Sequence, residues 1–586
     1  MGGRRRGETG IWSVLLKLSL FCCCNLKACA NTWAMTTVAR GSWGGDFYVT
    51  GDCGAVDAAL QPYPTTDTWP VAGRNNSRGH GYALPPNTSF GSAGLDSDCT
   101  GGGVSRASGT AADQVAALQR LFRTEFRLGR FDPLGASPFD ALGWQDLGTK
   151  AHKELAREAC QQSIVLLKNA DGALPLARGR RGMRVAMIGP TWEVKEGGYS
   201  GHGSGGKYTL PAPDAIAGYL GDATQPHPTV TPGCSDSACE DVAGFAAAVA
   251  AAEAADVVLI AVGIDDSFEG ENGDYRALSG VISLPGHQLS LVTAVAAAAK
   301  HPITVVVTGS SVDLAPLKVH PRVGAIIWRG YCGEAANQAT ADVLFGAVSP
   351  SGRLTQTFYP QSFLTEWKSG IDPYTGAKNV PRNASYFDHH VRPNATTGNP
   401  GRTHRFYTGN PVYKFGDGMG YTTFGYKLVS EAVANVSVAA VRKYASEATE
   451  QHMFIRRRIQ GAAANGARNG AGAGNSSSSS IASSSSSSSA VVAHRVRLTV
   501  TNTGNVASAH SVLCFVVAPT AGLQGAPLRT LVDFEKVYLV PGGTAEVAFN
   551  LVLHDFTLTA LEGGKHAVEG QWTVHIGDVH TAVVVG

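Results

Sequence analysis

A surplus of charge of either sign is what this sequence most plainly lacks. Its 48 Lys and Arg stand against 46 Asp and Glu, a formal net charge of +2 over 586 residues. Such a balance leaves no electrostatic footprint for nucleic acid or an anionic membrane, and neither is an expected partner. The N-terminal apolar run IWSVLLKLSLFCCC (11–24) is too short for a spanning helix and is interrupted by Lys17, so no stable membrane association is expected. Zinc-type spacing is missing as well: outside the first 30 residues no C-x-x-C pair recurs and no His is suitably placed. The acidic cluster at 265–274 lacks the D-x-D-x-D-G-x5-E order, which excludes an EF-hand calcium loop.

The chain is long enough for two to four domains rather than one core. Hydrophobic residues at 44% and charged residues at 16% describe an ordinary globular protein with a weakly charged surface, and 71 glycines favour loop-rich construction. Arg4, Arg5 and Arg6, the apolar run and the small-x-small ACA at Ala28–Ala30 together have the form of an export signal over residues 1–30. N-x-S/T sequons at Asn75, Asn87, Asn383, Asn394, Asn435 and Asn475 agree with a secreted, extracellular glycoprotein. Four of the 11 cysteines fall in the leader. Cys234 and Cys239 flank the short loop GCSDSAC and are candidates to bridge, as are Cys53 and Cys99. The odd remainder leaves at least one free thiol, for which the apolar-flanked Cys514 is the candidate.

Between about 150 and 365 the pattern alternates strand and helix. MRVAMIGP (183–190), ADVVLIAVG (255–263), PITVVVTG (302–309) and VGAIIW (323–328) are short continuous apolar runs, as strands buried on both faces of a parallel sheet require. Ala-rich helical patterns lie between them, which predicts an α/β sandwich with right-handed crossovers. Beyond about 425, RVRLTVTNTGN sets Val496, Leu498 and Val500 against polar neighbours, and VDFEKVYLVPGGTAEVAFNL and QWTVHIGD continue in kind. Period-two strands with closely spaced turns predict an immunoglobulin-like β-sandwich. The Gly/Ser tract 461–489 has almost nothing to bury and reads as a disordered insertion. Residues 31–135 supply one strand (46–50), a Gly/Pro/Asn-rich loop, and a helix with Val115, Leu118, Leu121 and Phe122 on one side.

Two acidic places stand out. Asp52 follows the strand FYVT, where a β/α barrel carries its reactive groups; on spacing alone, between Gly51 and Gly54, the reading as a helix cap or turn residue is favoured. The loop GIDDSFEGENGDYR holds Asp265, Asp266, Glu269, Glu271 and Asp274 at the carboxyl edge of the predicted sheet, where α/β proteins place ligand groups. A plain solvated acidic loop is the alternative. Two carboxylates acting across a glycosidic bond would account for both places.

The segments RLGRFDP, EACQQSIVLLKNADGALPL, VAMIGP, GGYSG, LPGHQLSLVTAVA, IIWRGYCGEA, SGRLTQTFYP and PGRTHRFYTGNPVYKFGDGMGYTTF strongly resemble glycoside hydrolase family 3, in its plant and fungal β-xylosidase and α-L-arabinofuranosidase branch. The resemblance runs from about residue 43 to the C-terminus. It implies an α/β multidomain fold: a partial β/α barrel over 31–148, an α/β sandwich with a mostly parallel sheet over 149–370, a connector over 371–425, and a fibronectin type III-like β-sandwich over 426–586. It implies Asp52 as nucleophile and Glu269 as acid/base, with Glu271 the alternate. It makes Asp96 and Asp98 structural or pocket-edge residues, and Cys53 a feature that tilts the pocket towards xylosides. The implied chemistry is retaining double displacement on xylan oligosaccharides in xylan and arabinan catabolism, with neither metal nor organic cofactor. Substrate-binding residues are not identified.

The sequence also departs from the family pattern. Gly51 stands in place of Ser, Gly54 of Asp and Cys332 of Pro, and few residues precede the nucleophile strand. Two strands cannot close a barrel, so an N-terminally truncated chain with poor catalysis is expected. β-Glucosidase activity and a non-catalytic carbohydrate-binding remnant are the other expectations.

Overall fold

The structure is a computed structural model of the 586-residue chain. It describes residues 33–42, 47–51, 93–98, 110–180, 182–192, 210–221, 227–269, 281–366, 392–393, 399–429, 433–448, 492–560 and 564–586. The leader, the 461–489 tract, Asp52, Cys53, Cys99, Glu271 and five of the six sequons lie outside the described residues. The described residues fall in two compact units, one within Met1–Asp146 and one within Leu147–Ala448 and Ser489–Gly586.

In the first unit, the strand expected over 46–50 contracts to β1 (Thr50–Gly51), which pairs in parallel with β2 (Ser97–Asp98). Only those two residues have ladder partners, so the apolar run before them stays irregular. Helix α1 (Ala111–Arg127) starts at a capping box: the Thr110 hydroxyl accepts from the Asp113 amide, and Asp113 accepts from the Thr110 amide at 2.8 Å. Its apolar stripe forms as expected, yet Val115 (54%), Leu118 (38%) and Phe122 (43%) remain exposed and Ala117 alone is buried. Amphipathic periodicity fixes the stripe; it does not supply a cover.

The second unit opens with α2 (Lys150–Ser163), capped by Thr149, and edge strand β3 (Val165–Asn169). A six-stranded sheet follows in the order β3-β8-β7-β6-β4-β5, built with β4 (Val185–Ile188), β5 (Val230–Thr231), β6 (Val257–Gly263), β7 (Ile303–Thr308) and β8 (Val323–Gly330). All pairs are parallel except β3 with β8. Both faces are covered, which is why the strands read as unbroken apolar runs. Val258, Ile260 and Val262 pack towards α4 (Phe245–Ala254) and α6 (Gln288–Ala298), whereas Leu259 and Ala261 pack towards α2, α3 (Ala212–Ala217) and α8 (Ala336–Leu344). Short α5 (Asp266–Glu269) and α7 (Ala315–Val319) follow β6 and β7. Across the second face lies buried Asp342, which accepts from Arg157 Nε and Nη2 at 2.6 Å each, Gln161 at 2.5 Å and the Tyr219 hydroxyl at 2.5 Å.

Two further sheets build the C-terminal sandwich, β14-β11-β9 and β10-β18-β17-β12-β13. Their strands are β9 (Phe424–Leu428), β10 (Ala434–Val436), β11 (Val492–Asn502), β12 (Ser508–Val517), β13 (Thr530–Leu539), β14 (Thr544–Val552), β17 (Gly570–Ile576) and β18 (Val579–Val585), with the small hairpin β15 (Thr557–Thr559) and β16 (Lys565–Ala567) between β14 and β17. Val496, Leu498 and Val500 are fully buried, as the alternation predicts, against Val512, Trp572 and Val574. Outside this core, half-buried Arg353 donates to His510 Nδ1 at 3.1 Å, and Tyr426 shares a 2.5 Å hydrogen bond with His510 Nε2. Burial, then the Arg353 charge, pulls the His510 imidazole down to about 3.

Two disulfides lie among the described residues. Cys234–Cys239 is the expected bridge, and Cys160–Cys332 ties α2 to the segment after β8 across 172 residues. Cys514 is free and buried, as its flanks predict. No described helix is long and apolar enough to cross a membrane.

Candidate active site

The strand that leads to Asp52 is anchored by a buried carboxylate. Asp96 is 0% exposed and accepts from the Val49 amide at 2.8 Å, from Arg120 Nε at 2.8 Å and Nη2 at 2.6 Å, and from Arg40. Two guanidinium groups offset the desolvation of one carboxylate, and the Val49 bond holds β1 to the segment before β2. Burial, the largest effect, lowers the Arg40 guanidinium while Asp96 opposes it. Asp96 is thus a structural anchor, in keeping with one of the two roles implied for it.

The acidic loop is built at the carboxyl ends of β6 and β7. Gly263 (φ +138°) and Gly309 (φ +79°) sit where the strand ends cross: a Cβ on Gly309 would meet the Ile264 carbonyl oxygen at 2.5 Å. Buried Gln288 fastens the end of β6 from both sides. Its Oε1 accepts from the Gly263 amide at 2.8 Å, and its Nε2 donates to the carbonyls of Gly263 at 2.8 Å and Ser237 at 2.6 Å. Ser237 lies inside the Cys234–Cys239 loop and donates from Oγ to Asp265 at 2.7 Å. Asp265 also accepts from the Ser267 amide at 3.0 Å, so it works as a cap within the loop, and Asp266 faces solvent.

Glu269 ends α5. Its Oε1 accepts from the Ser310 amide at 3.0 Å and its Oε2 from the Ser310 hydroxyl, which joins the loops after β6 and β7. The Tyr331 hydroxyl also donates to Glu269; burial first, then that bond, pushes the Tyr331 phenol upward. Among the described residues no cluster of three His, Cys, Asp or Glu side chains suits a metal ion. Of the expected pair, then, only Glu269 falls on described residues, while Asp52 follows directly on described Gly51. Ser310, Tyr331, Ser237 and Gln288 went unnoticed in the sequence. The one local signal was the S-S after the Thr-Gly that closes PITVVVTG, a small-residue turn at a strand's carboxyl end.

The glycosyl hydrolase family 3 C-terminal domain matches residues 164–421, and a fibronectin type III-like domain matches 510–579. Beta-D-xylosidase 1 of Arabidopsis thaliana is 33% identical over 570 residues, 95% of this chain and 64% of that protein. Beta-xylosidase/alpha-L-arabinofuranosidase 1 of Medicago sativa subsp. varia is 32% identical over 571 residues, again 95% and 64%. A family 3 exo-beta-xylosidase solved with a xylobiose aziridine activity-based probe is 25% identical with a TM-score of 0.73, covering 96% of this chain and 64% of that one. The chain therefore spans just under two thirds of the length of these relatives. The doubly covered sheet lies within the first match and the β-sandwich carries the second, so the chain contains the C-terminal domain of glycoside hydrolase family 3 followed by a fibronectin type III-like domain.

Proposed function

We propose that this protein is a glycosidase that releases terminal β-xylosyl residues from xylan oligosaccharides with retention. The observation that carries this reading is the 33% identity to a plant β-D-xylosidase over 95% of the chain. Asp52 attacks the anomeric carbon while a carboxylic acid of the loop after β6 protonates the leaving oxygen; the same carboxylate then activates water to release the sugar. The pair must start in opposite protonation states, Asp52 ionised and the acid neutral. In the described position Ser310 occupies both Glu269 oxygens, so Glu269 must release Ser310 to reach a leaving group, and Glu271 is the alternate. An α-L-arabinofuranosidase activity accompanies the main one, as the name of the Medicago relative suggests. The protein is secreted and glycosylated. In support of this, two disulfides suit an oxidising compartment, and the Asn435 sequon is exposed.

The test is turnover of nitrophenyl β-xyloside, α-arabinofuranoside and β-glucoside by the full chain and by Asp52→Asn, Glu269→Gln and Glu271→Gln. Asp52→Asn should abolish xyloside turnover. The acid/base variant should lose about 10²–10⁴-fold on xylobiose, less on the nitrophenyl substrate, and recover with azide. Preference for the glucoside would move the assignment to a β-glucosidase. No turnover, with xylobiose still bound, would make the chain a binding module.

A further inference from the structure

A cavity of about 580 Å3 opens between the connector and the outward face of β12. Its volume lies within the range of about 300–1,000 Å3 of small-molecule sites, which favour domain boundaries. Arg353, Lys414 and Arg529 all line it, against the single carboxylate of Asp417. Arg353 donates to His510 Nδ1, and Arg529 donates to the Phe415 carbonyl at 3.2 Å with its guanidinium 4.5 Å from the Phe515 ring centre. Asp417 accepts from the Lys414 backbone amide at 2.8 Å, not from its ammonium. Among the described residues, no carboxylate is within ion-pair distance of any of the three cations. Burial lowers both guanidinium groups, Asp417 only partly opposing it. Positive charge held this way in a partly dry cavity favours an anion.

The rest of the lining is unlike that of a bare anion site. Phe415, Phe515 and Leu513 supply apolar surface, and the hydroxyls of Ser511 and Tyr426 lie beside it. Thr357 is 6% exposed, and its hydroxyl lies against the Tyr359 phenol. The His404 ring stacks on Phe415 at 4.1 Å and is pulled to about 4 by burial, then by Arg529 and Arg405, so at neutral pH it offers one donor and one acceptor. Inorganic phosphate would use the cations and leave the hydroxyls and apolar faces without a role.

We propose that this cavity is a second saccharide site, separate from the acidic loop, which takes a sugar bearing a carboxylate. Arg353, Lys414 and Arg529 hold the acid, a planar group that suits guanidinium donors. Thr357, Ser511 and His404 meet the ring hydroxyls, and Phe415 and Phe515 meet its apolar face. The site does not depend on the catalytic reading.

Isothermal titration of the full chain with D-glucuronate, D-glucose and inorganic phosphate tests it. Glucuronate should bind at least tenfold more tightly than either of the others, and less tightly as salt is raised. Lys414→Gln, at an exposed position, should weaken glucuronate at least threefold with far-UV circular dichroism unchanged. Thr357→Val should weaken it without altering the salt dependence. Glucose binding equal to glucuronate, phosphate binding equal to glucuronate, or no binding of glucuronate would each overturn the proposal. Turnover of nitrophenyl xyloside by Lys414→Gln should match the parent chain, so either reading can fail alone.

Discussion

Lowering the pH from 7 to 5 should weaken the C-terminal part of the protein through His510. That ring is 6% exposed, stacks 3.9 Å from Phe424, and has a nitrogen bonded on each side. Arg353 can only donate, so Nδ1 accepts and the proton sits on Nε2. A second proton would have to enter at Nδ1, against the guanidinium. In the unfolded chain the imidazole takes up its proton near 6.5; in the fold it is held down to about 3. Above 6.5 both states are neutral and the full stability is present. Below 6.5 the unfolded state alone gains a proton, and stability falls by about 1.4 kcal/mol per pH unit until the folded value is reached. Between 6.5 and 5 this amounts to roughly 2 kcal/mol, a figure insensitive to the folded value as long as it lies well below 5. His404, half-buried and more open to solvent screening, steepens the same slope by a smaller amount. Urea unfolding of the parent chain and of His510→Gln at pH 7, 6 and 5 isolates the contribution. Gln preserves an acceptor and a donor but does not titrate, so its curve should be flatter by about 2 kcal/mol over this range. Parallel curves would refute a neutral, buried His510.

Other outcomes follow from the same structure. The 172-residue loop closed by Cys160–Cys332 should make its loss the more damaging: Cys160→Ser with Cys332→Ser should cost about 5 kcal/mol by loop entropy, against about 2 kcal/mol for the 5-residue separation of Cys234–Cys239. Thermal scans of both pairs of variants give the order, and equal losses would contradict it. Asp342→Ala strips Arg157 and Tyr219 of their shared acceptor and should destabilise by about 3 kcal/mol in urea. Burial opposes its charge, but Arg157, Tyr219 and two glutamines prevail and hold the Asp342 carboxyl below the ordinary range. Its contribution is thus present above about pH 4 and fades as the pH falls through the folded value. Ser310→Ala should remove the hydroxyl bond to Glu269 Oε2 while the amide bond to Oε1 persists; if Glu269 is the acid/base, the basic limb of the xyloside pH–rate profile moves, and if Glu271 is, it stays.

The parallel sheet was legible because each strand buries both faces, so ADVVLIAVG or PITVVVTG needs no partner to be recognised. The sandwich was legible for the opposite reason, since Val496, Leu498 and Val500 alternate with polar neighbours. What stayed hidden depends on contacts between distant residues. Ser310 lies 41 residues beyond Glu269, and Cys332 lies 172 beyond Cys160. In α1 the stripe of Val115, Leu118 and Phe122 was evident, but whether anything covers it is a tertiary matter that periodicity cannot carry. The cavity beside β12 was equally silent: Arg353, Lys414 and Arg529 come from three separate segments, and no motif links them.

Gln288 separates two jobs that loops commonly combine. Its three bonds, with the Cys234–Cys239 ring behind Ser237, fix the end of β6 from the side of α6, while Asp265 and Glu269 make separate bonds to Ser237 and Ser310. A substitution at Asp265 or Glu269 is therefore expected to leave the end of β6 in place.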